Sequence, residues 1–410
     1  METLTRLCNF LGSPASSICS WPFGLWPNLA VYFLRKGFLT PSLENKQRQE
    51  QISRGLRSQK VTQSSLRVKA AVLREIAKPL RIEEVELPPL ERGQVLVEIH
   101  YTGLCHSQLN EIYGRKGEDR YLPHTLGHEG SGVVLGTGEG VTKVFAGDHV
   151  VISWIKGKGL DAQGPTYKSA TGLVNSGPIS TFLTHAIIAE NRLTPIPKEI
   201  SLREAALFGC MIPTGAGVIF NEMKICSGQS CAIFGMGGIG LSALIAARYA
   251  GAYPLIAVDV IEEKLHKSLE CGATHVFNSR SPTFDQEWRE LAPEGVDYAL
   301  ESSGNKRAME RAFSSVKAKG GLCILAGNLP KGEKIEIDPF DLIAGRRLQG
   351  TWGGASLIEE DIERYCALSV NRDLNFSQLI SHEVKLEEIN ELIQLLIQGK
   401  VTRGIVSLHH

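Results

Sequence analysis

Three segments carry side chains of metal-binding type: Gly103-Leu104-Cys105-His106-Ser107, Gly127-His128-Glu129-Gly130 and Gly209-Cys210-Met211-Ile212-Pro213-Thr214-Gly215. Two thiols and an imidazole make a borderline-soft donor set that suits zinc, and three protein ligands leave a fourth tetrahedral position open to water or substrate. Spacing alone does not bring Cys105, His128 and Cys210 together. Taken singly, a buried cysteine is usually an inert small hydrophobe and a lone histidine a packing residue. A second chemistry lies in Gly235-Met236-Gly237-Gly238-Ile239-Gly240, which follows the apolar run Cys231–Phe234 and opens a helix rich in small residues. There Gly235 permits a tight turn, Gly237 lets the backbone approach a pyrophosphate, and Gly240 allows close contact of helix and strand. The helix N-terminus, which Gly238 and Ile239 open, attracts phosphate charge. Asp259 lies 19 residues past Gly240, at the end of the next apolar run, where its carboxylate can accept both hydroxyls of an adenosine ribose. A carboxylate there repels a 2′-phosphate, which points to NAD over NADP, and Lys264 adds a ribose contact. The competing role for Asp259 is to cap the following helix.

The elements that must position these groups come in two styles. From Val68 to about Glu190, short β-type runs (Ala70–Leu73, Gln94–Ile99, Gly132–Leu135 and His149–Ile152) are separated by Gly and Pro, which predicts a β-rich, barrel-like domain. From about Pro213, apolar strands alternate with helical stretches, through Cys231–Phe234, Leu241–Tyr249, Leu255–Val258, Glu263–Cys271, Tyr298–Glu301, Arg307–Val316 and Gly321–Leu325. That alternation predicts a parallel sheet with crossover helices. Leu386 to Gly399 has helical apolar spacing through Ile389, Leu392, Ile393 and Leu396, before a terminal strand at Ile405–Leu408.

The first 67 residues stand apart, with nine Lys or Arg against three Glu and no Asp, and nine Ser. Basic, Ser-rich and acid-poor composition is that of an organelle transit peptide. A non-AUG start at Leu66 or Val68, or a disordered tail, would explain the segment equally. Across the chain, 44 Lys plus Arg balance 44 Asp plus Glu, so no net field favours nucleic acid or an anionic membrane. Nine cysteines without a CxxC pair point to reduced thiols rather than a disulfide framework. No apolar run approaches the ~20 residues that cross a bilayer; the best N-terminal candidate, Leu29–Leu34, is short and follows Pro22 and Pro27. No membrane partner is expected.

Read together and in this order, the motifs resemble the zinc-dependent alcohol dehydrogenases of the medium-chain dehydrogenase/reductase superfamily, over nearly all of Val68 to Leu408. The resemblance implies an α/β protein in four parts: the extension at 1–67, a GroES-like β-rich catalytic domain at 68–211, a Rossmann NAD-binding domain with a doubly wound parallel sheet at 212–352, and a return to the catalytic domain at 353–410. It implies one catalytic zinc at the cleft between the two domains, held by Cys105, His128 and Cys210. Glu129 matches the family's glutamate beside the metal, and Gly147-Asp148-His149-Val150 its GD-x-V strand entry. Thr214 matches a residue on the nicotinamide side, Arg403 a C-terminal pyrophosphate contact, and His106 a position that more often contacts phosphate. Trp154 matches a position lining the substrate pocket, with a plain core aromatic as the other reading.

Two departures from the family pattern stand out. Lys156 to Asn175 contains none of the four cysteines of the family's optional structural-zinc lobe, so a single zinc per chain is expected. Ser107 supplies the hydroxyl of the family's proton relay, but Asn110 stands where that relay has histidine, and Asn does not titrate. Proton exit then runs through water or His106. The expected activity is hydride transfer between NAD and a small-molecule alcohol or its carbonyl product, by a cytoplasmic homodimer or homotetramer unless residues 1–67 direct import. The alternatives are a zinc-free quinone or enone reductase and a catalytically silent NAD-binding sensor or structural protein.

Overall fold

Alternation along the strand Cys231–Phe234 sends Ala232 and Phe234 to one face of a sheet and Cys231 and Ile233 to the other, and each pair joins a different buried cluster. A strand covered on both faces belongs in a parallel sheet with helices on either side. The computed structural model, which describes residues 66–408, contains that sheet. The extension read at 1–67 therefore lies almost wholly outside the described residues.

Six parallel strands stand side by side in the order His275–Asn278, Leu255–Asp259, Cys231–Phe234, Tyr298–Glu301, Leu322–Leu325 and Arg347–Gly350. Numbered along the chain, this is the order 3-2-1-4-5-6 of the dinucleotide-binding fold. The order reverses between Cys231–Phe234 and Tyr298–Glu301, so a crevice opens beyond the carboxyl ends of those two strands. The helix Gly238–Tyr249 starts at that crevice and is buried along Leu241 to Ala247.

The β-rich lobe holds two further sheets. Arg67–Leu73, Arg81–Glu86, Thr166–Ser169, Gly172–Asn175 and His124–Thr125 close into a small barrel. A seven-stranded sheet is built around the long strand Gln94–Leu104, which pairs with Glu129–Thr137, His185–Ala189 and Gly404–Ser407. In the last pairing Gly404 lies opposite Leu104, so the end of the chain returns to the first lobe beside Cys105. The helix Ile389–Ile397 buries Ile389, Leu392, Ile393 and Leu396 against this lobe.

Between the lobes runs an apolar bent segment: the 3-10 turn Ala206–Gly209, the α-helix Met211–Gly217 and a π-helical turn at Val218–Met223. It fills a core shared by Val151 and Ile196 of the large sheet, Ile233 and Leu244 of the nucleotide lobe, and Ile358 and Ile362 of the helix Ile358–Val370. Phe208, Tyr365 and Phe376 meet there with ring centres 5.7–6.0 Å apart. Among the described residues no single helix is long and apolar enough to cross a membrane. The strands His275–Asn278 and Arg347–Gly350 and the helices Phe284–Leu291, Pro339–Ala344 and Ile358–Val370 are additions to the sequence reading.

Candidate active site

Each of the three metal-type residues sits where an element begins or ends. Cys105 follows the strand Gln94–Leu104 and is the N-cap of the helix His106–Ile112, with extended backbone. His128 immediately precedes the strand Glu129–Thr137. Gly127 before it has φ +92°, and a Cβ there would stand 2.3 Å from Thr181 Oγ1, so only glycine fits. Cys210 links the 3-10 turn Ala206–Gly209 to the helix Met211–Gly217. Its position is tied to the sheet by Ser153, whose hydroxyl donates to the Gly209 carbonyl at 2.6 Å.

These elements bring the ligand atoms of Cys105, His128 and Cys210 within 4.8 Å of one another. His128 turns Nε2 toward Cys210 Sγ at 3.3 Å. Its Nδ1 lies 3.3 Å from Ser107 Oγ and against the Gln108 amide nitrogen. Gln108, itself buried, also accepts the Cys105 N–H at 3.0 Å through Oε1. The Cys105 thiol is held well below its ordinary value, chiefly by the hydrogen bond from Cys210, with His128 and Arg403 adding to it against burial. Cys210 is held well above its ordinary value by the same contact and by burial. Burial alone would lower His128, but Cys105 and Glu129 outweigh it and raise the imidazole. Two sulfurs and a ring nitrogen thus crowd one point. That donor set fits zinc, which takes both sulfurs as thiolates and the histidine through a nitrogen whose partner is fixed from behind.

Glu129 and Arg403 form a buried ion pair next to this cluster, with Glu129 fully buried and Arg403 4% exposed. Arg403 Nη1 also donates to the Leu104 carbonyl at 3.1 Å. A Cβ at Gly238 would lie 3.8 Å from Arg403 Cδ, so this side chain spans from the ligand cluster to the nucleotide turn. Its Nε finds no hydrogen-bond partner among the described residues. Thr214 directs its hydroxyl to the Cys210 carbonyl at 2.8 Å, fastening the first turn of the helix behind the ligand. His106 is held below its ordinary value first by burial and then by the Lys264 and Arg403 cations, against the pull of Cys105. These three basic groups therefore share one region.

The glycine turn is built as its spacing requires. Gly235 has φ +91° and packs on Ser303, while a Cβ at Gly240 would stand 1.9 Å from the Gly235 carbonyl. At Gly237, by contrast, a Cβ would meet nothing within 4 Å among the described residues, which leaves that backbone open to a ligand. Gly238 and Ile239 form the first turn of the helix. Asp259 accepts the Met236 N–H at 2.6 Å through one oxygen, and the Val260 and Ile261 N–H groups at 2.7 and 3.1 Å through the other. Its carboxylate ties the glycine turn to the two residues that follow its own strand, while the helix Glu262–Glu270 starts after Ile261 without a side-chain cap.

Three residues near the site escaped the sequence reading. Gln108 was findable, because it stands three residues after an N-cap, where a side chain folds back on the cap's N–H. Glu301 ends the fourth strand of the parallel sheet fully buried, and one of its oxygens accepts the Ser303 and Gly304 N–H groups at 2.8 and 3.0 Å. Trp352 is 80% exposed and meets Trp154 edge to face, ring centres 5.0 Å apart; no local pattern announces that pairing.

Comparison with known proteins follows the same two lobes. The family described as alcohol dehydrogenase GroES-like domain matches residues 91–198, and that described as zinc-binding dehydrogenase matches residues 238–370. The chain is 31% identical over 370 residues to an S-(hydroxymethyl)glutathione dehydrogenase of Synechocystis sp., covering 83% of this chain and all of the relative. A solved alcohol dehydrogenase zinc-binding domain protein from Burkholderia ambifaria superposes with a TM-score of 0.78 at 32% identity, over 85% of this chain and all of that one. Benzyl alcohol dehydrogenase from Acinetobacter calcoaceticus superposes with a TM-score of 0.76 at 27% identity, over 84% of this chain and all of that one.

Proposed function

The chain belongs to the zinc-dependent alcohol dehydrogenases of the medium-chain dehydrogenase/reductase superfamily, and from that premise we propose that it oxidises a small-molecule alcohol, or reduces the matching carbonyl, with NAD as hydride acceptor or donor. The observation that carries this reading is the meeting of the Cys105, His128 and Cys210 ligand atoms within 4.8 Å, beside an arginine that reaches the nucleotide turn. Cys105, His128 and Cys210 would hold one zinc ion. Bound there, zinc supplies Lewis acidity toward the substrate oxygen, and NAD supplies the hydride acceptor.

The chain's own residues do the rest. Gly237 offers an open backbone, and the N-terminus of Gly238–Tyr249 offers its free N–H groups to a pyrophosphate. Arg403 adds charge to that site through its Nε, which has no hydrogen-bond partner among the described residues. Asp259 meets the adenosine ribose and disfavours a 2′-phosphate, with Lys264 beside it. Ser107, 3.3 Å from His128, would take the proton of the substrate hydroxyl as it passes its own proton on to water or His106. Glu129 keeps Arg403 in place. Thr214 fixes the turn that carries Cys210. Orientation of the two reactants at one cleft supplies much of the rate.

Trp154 and Trp352 form an apolar corner that suits a bulky alcohol. The open edge strand Arg347–Gly350, and the helix Pro339–Ala344 beside it with Phe340 and Ile343 67% and 78% exposed, support assembly as a homodimer or homotetramer.

The test is NAD and NADP reduction by the purified full chain across an alcohol panel that includes benzyl alcohol and S-(hydroxymethyl)glutathione, with zinc content measured in parallel. The reading expects one zinc per chain, NAD-linked turnover, and loss of both on chelation. Turnover that survives complete removal of zinc would overturn it.

A further inference from the structure

The loop that follows Trp154 contains no cysteine from Lys156 to Asn175, yet its backbone is held at closely spaced points by groups from elsewhere in the chain. The Gly157 N–H donates to the Asn191 carbonyl at 2.7 Å, and the Asn191 N–H returns to the Leu160 carbonyl at 3.1 Å. The Lys158 N–H donates to a Glu359 oxygen at 2.6 Å. The Leu160 N–H donates to Glu190 Oε2 at 2.7 Å. Glu190 Oε1 meanwhile accepts the Thr142 and Lys143 N–H groups, each at 2.6 Å. One carboxylate therefore joins two separate loops with three backbone bonds.

Lys143 lies between the two acids, giving its N–H to Glu190 and its ammonium to Glu359 at 2.9 Å. Two glycines make room for the grip. A Cβ at Gly159, where φ is +105°, would stand 2.8 Å from Glu190 Cγ, and one at Gly157 would stand 2.2 Å from Glu359 Oε1. Glu190 is only 1% exposed. Burial by itself would raise its carboxyl, but the Leu160, Thr142 and Lys143 N–H groups outweigh burial and hold it below the ordinary value. The same 3-10 turn, Glu190–Arg192, also reaches the start of the loop, where Arg192 Nη1 donates to the Trp154 carbonyl. Trp154 is in turn next to Ser153, which is bonded to Gly209 one residue before Cys210.

We infer that the turn Glu190–Arg192 is a clamp that works without a metal, in which the Glu190 carboxylate is the positioning residue that fixes the loop 154–161 and so sets Trp154 beside the candidate active site. The clamp itself stands on backbone geometry. Its effect on substrate choice rests on the proposed function, in which Trp154 forms part of the pocket wall.

The experiment is amide hydrogen exchange on the full-length wild type, Glu190→Gln and Glu190→Ala, with and without a zinc chelator, alongside KM and kcat for a small and a bulky alcohol. Glu190→Ala should speed exchange in the peptide covering 154–161 at least tenfold, and leave the helix Gly238–Tyr249 protected. Glu190→Gln keeps the shape but puts an N–H where an acceptor is needed, so it should fall between. The chelator should leave loop protection in the wild type unchanged. In the alanine variant KM should change several-fold more for the bulky alcohol than for the small one. Exchange in 154–161 within twofold of wild type, or loop protection that vanishes on chelation, would overturn the clamp. If Glu190→Ala does not accumulate as folded protein, Glu359→Gln, at the partly exposed end of the same grip, must raise exchange at 157–160. A wild type with no turnover would remove the reading of the pocket and leave the exchange result standing.

Discussion

Removing the Arg403 guanidinium tests the junction on which the proposed site depends. Glu129 is fully buried and faces Arg403, which is itself 4% exposed. In Arg403→Met the aliphatic stem survives, but Glu129 is left as an uncompensated carboxylate in the interior and the Leu104 carbonyl loses its donor. Breaking a buried pair from one side costs about 3–5 kcal/mol. With a urea m-value of ~3 kcal/mol/M, that lowers the midpoint of unfolding by roughly 1–1.7 M. Adding Glu129→Gln should recover more than half of the loss, because the stranded charge goes with it. NAD binding should not recover, since Arg403 Nε, which has no hydrogen-bond partner among the described residues, is missing in both variants. Urea unfolding of the wild type, both single variants and the double variant gives the coupling directly, and titration with NAD gives the second readout. If Arg403→Met unfolds within ~0.3 M of wild type, or the double variant is no more stable than Arg403→Met, the pair is not a closed buried unit and the reasoning fails.

Cys210→Ser should lower bound zinc to below a tenth of the wild-type content and abolish turnover; retention of both, by metal analysis and NAD reduction, would remove Cys210 from the ligand set. Gly237→Ala should leave the melting temperature unchanged, because nothing among the described residues lies within 4 Å of the added methyl, yet weaken NAD at least tenfold. Gly240→Ala, whose methyl would stand 1.9 Å from the Gly235 carbonyl, should lose stability by about 1–3 kcal/mol as well; equal melting of the two variants would contradict the packing argument. Asp259→Gly should raise tolerance of NADP in a kcat/KM comparison and also lower stability, since three N–H groups lose their acceptor. The last expectation concerns pH. Burial raises the Glu301 carboxyl against the Ser303 and Gly304 donors, so the folded chain keeps a proton that the unfolded chain releases once pH passes the ordinary carboxylate range. Stability from this group is full below that range and falls as pH climbs toward the folded value. Glu301→Gln should therefore flatten stability over that window and gain at neutral pH, as followed by melting temperature against pH.

What was legible in the sequence was local. The glycines at 235, 237 and 240 serve a turn closed within six residues, and the alternation in Cys231–Phe234 records which face each residue buries without reference to any distant partner. Arg347–Gly350 was not legible because an edge strand that leaves its side chains largely exposed carries no apolar period. The helix Ile358–Val370 does carry one, through Ile358, Ile362 and Tyr365, but the surface it covers belongs to Phe208 and Phe376, which local periodicity cannot supply. The same limit explains the site. That Arg403 faces Glu129 follows from the register placing Gly404 opposite Leu104, a pairing across some three hundred residues of chain. Strand register is set by burial and by the turns that precede it, so it emerges only when the whole lobe is assembled. Family resemblance named Arg403 as a phosphate contact because it carried over the motif and not the register. The structure adds that the same guanidinium already neutralises a buried acid, so any change at Arg403 perturbs ligand cluster and nucleotide turn together. Only a variant pair that separates charge balance from phosphate contact can assign the two roles.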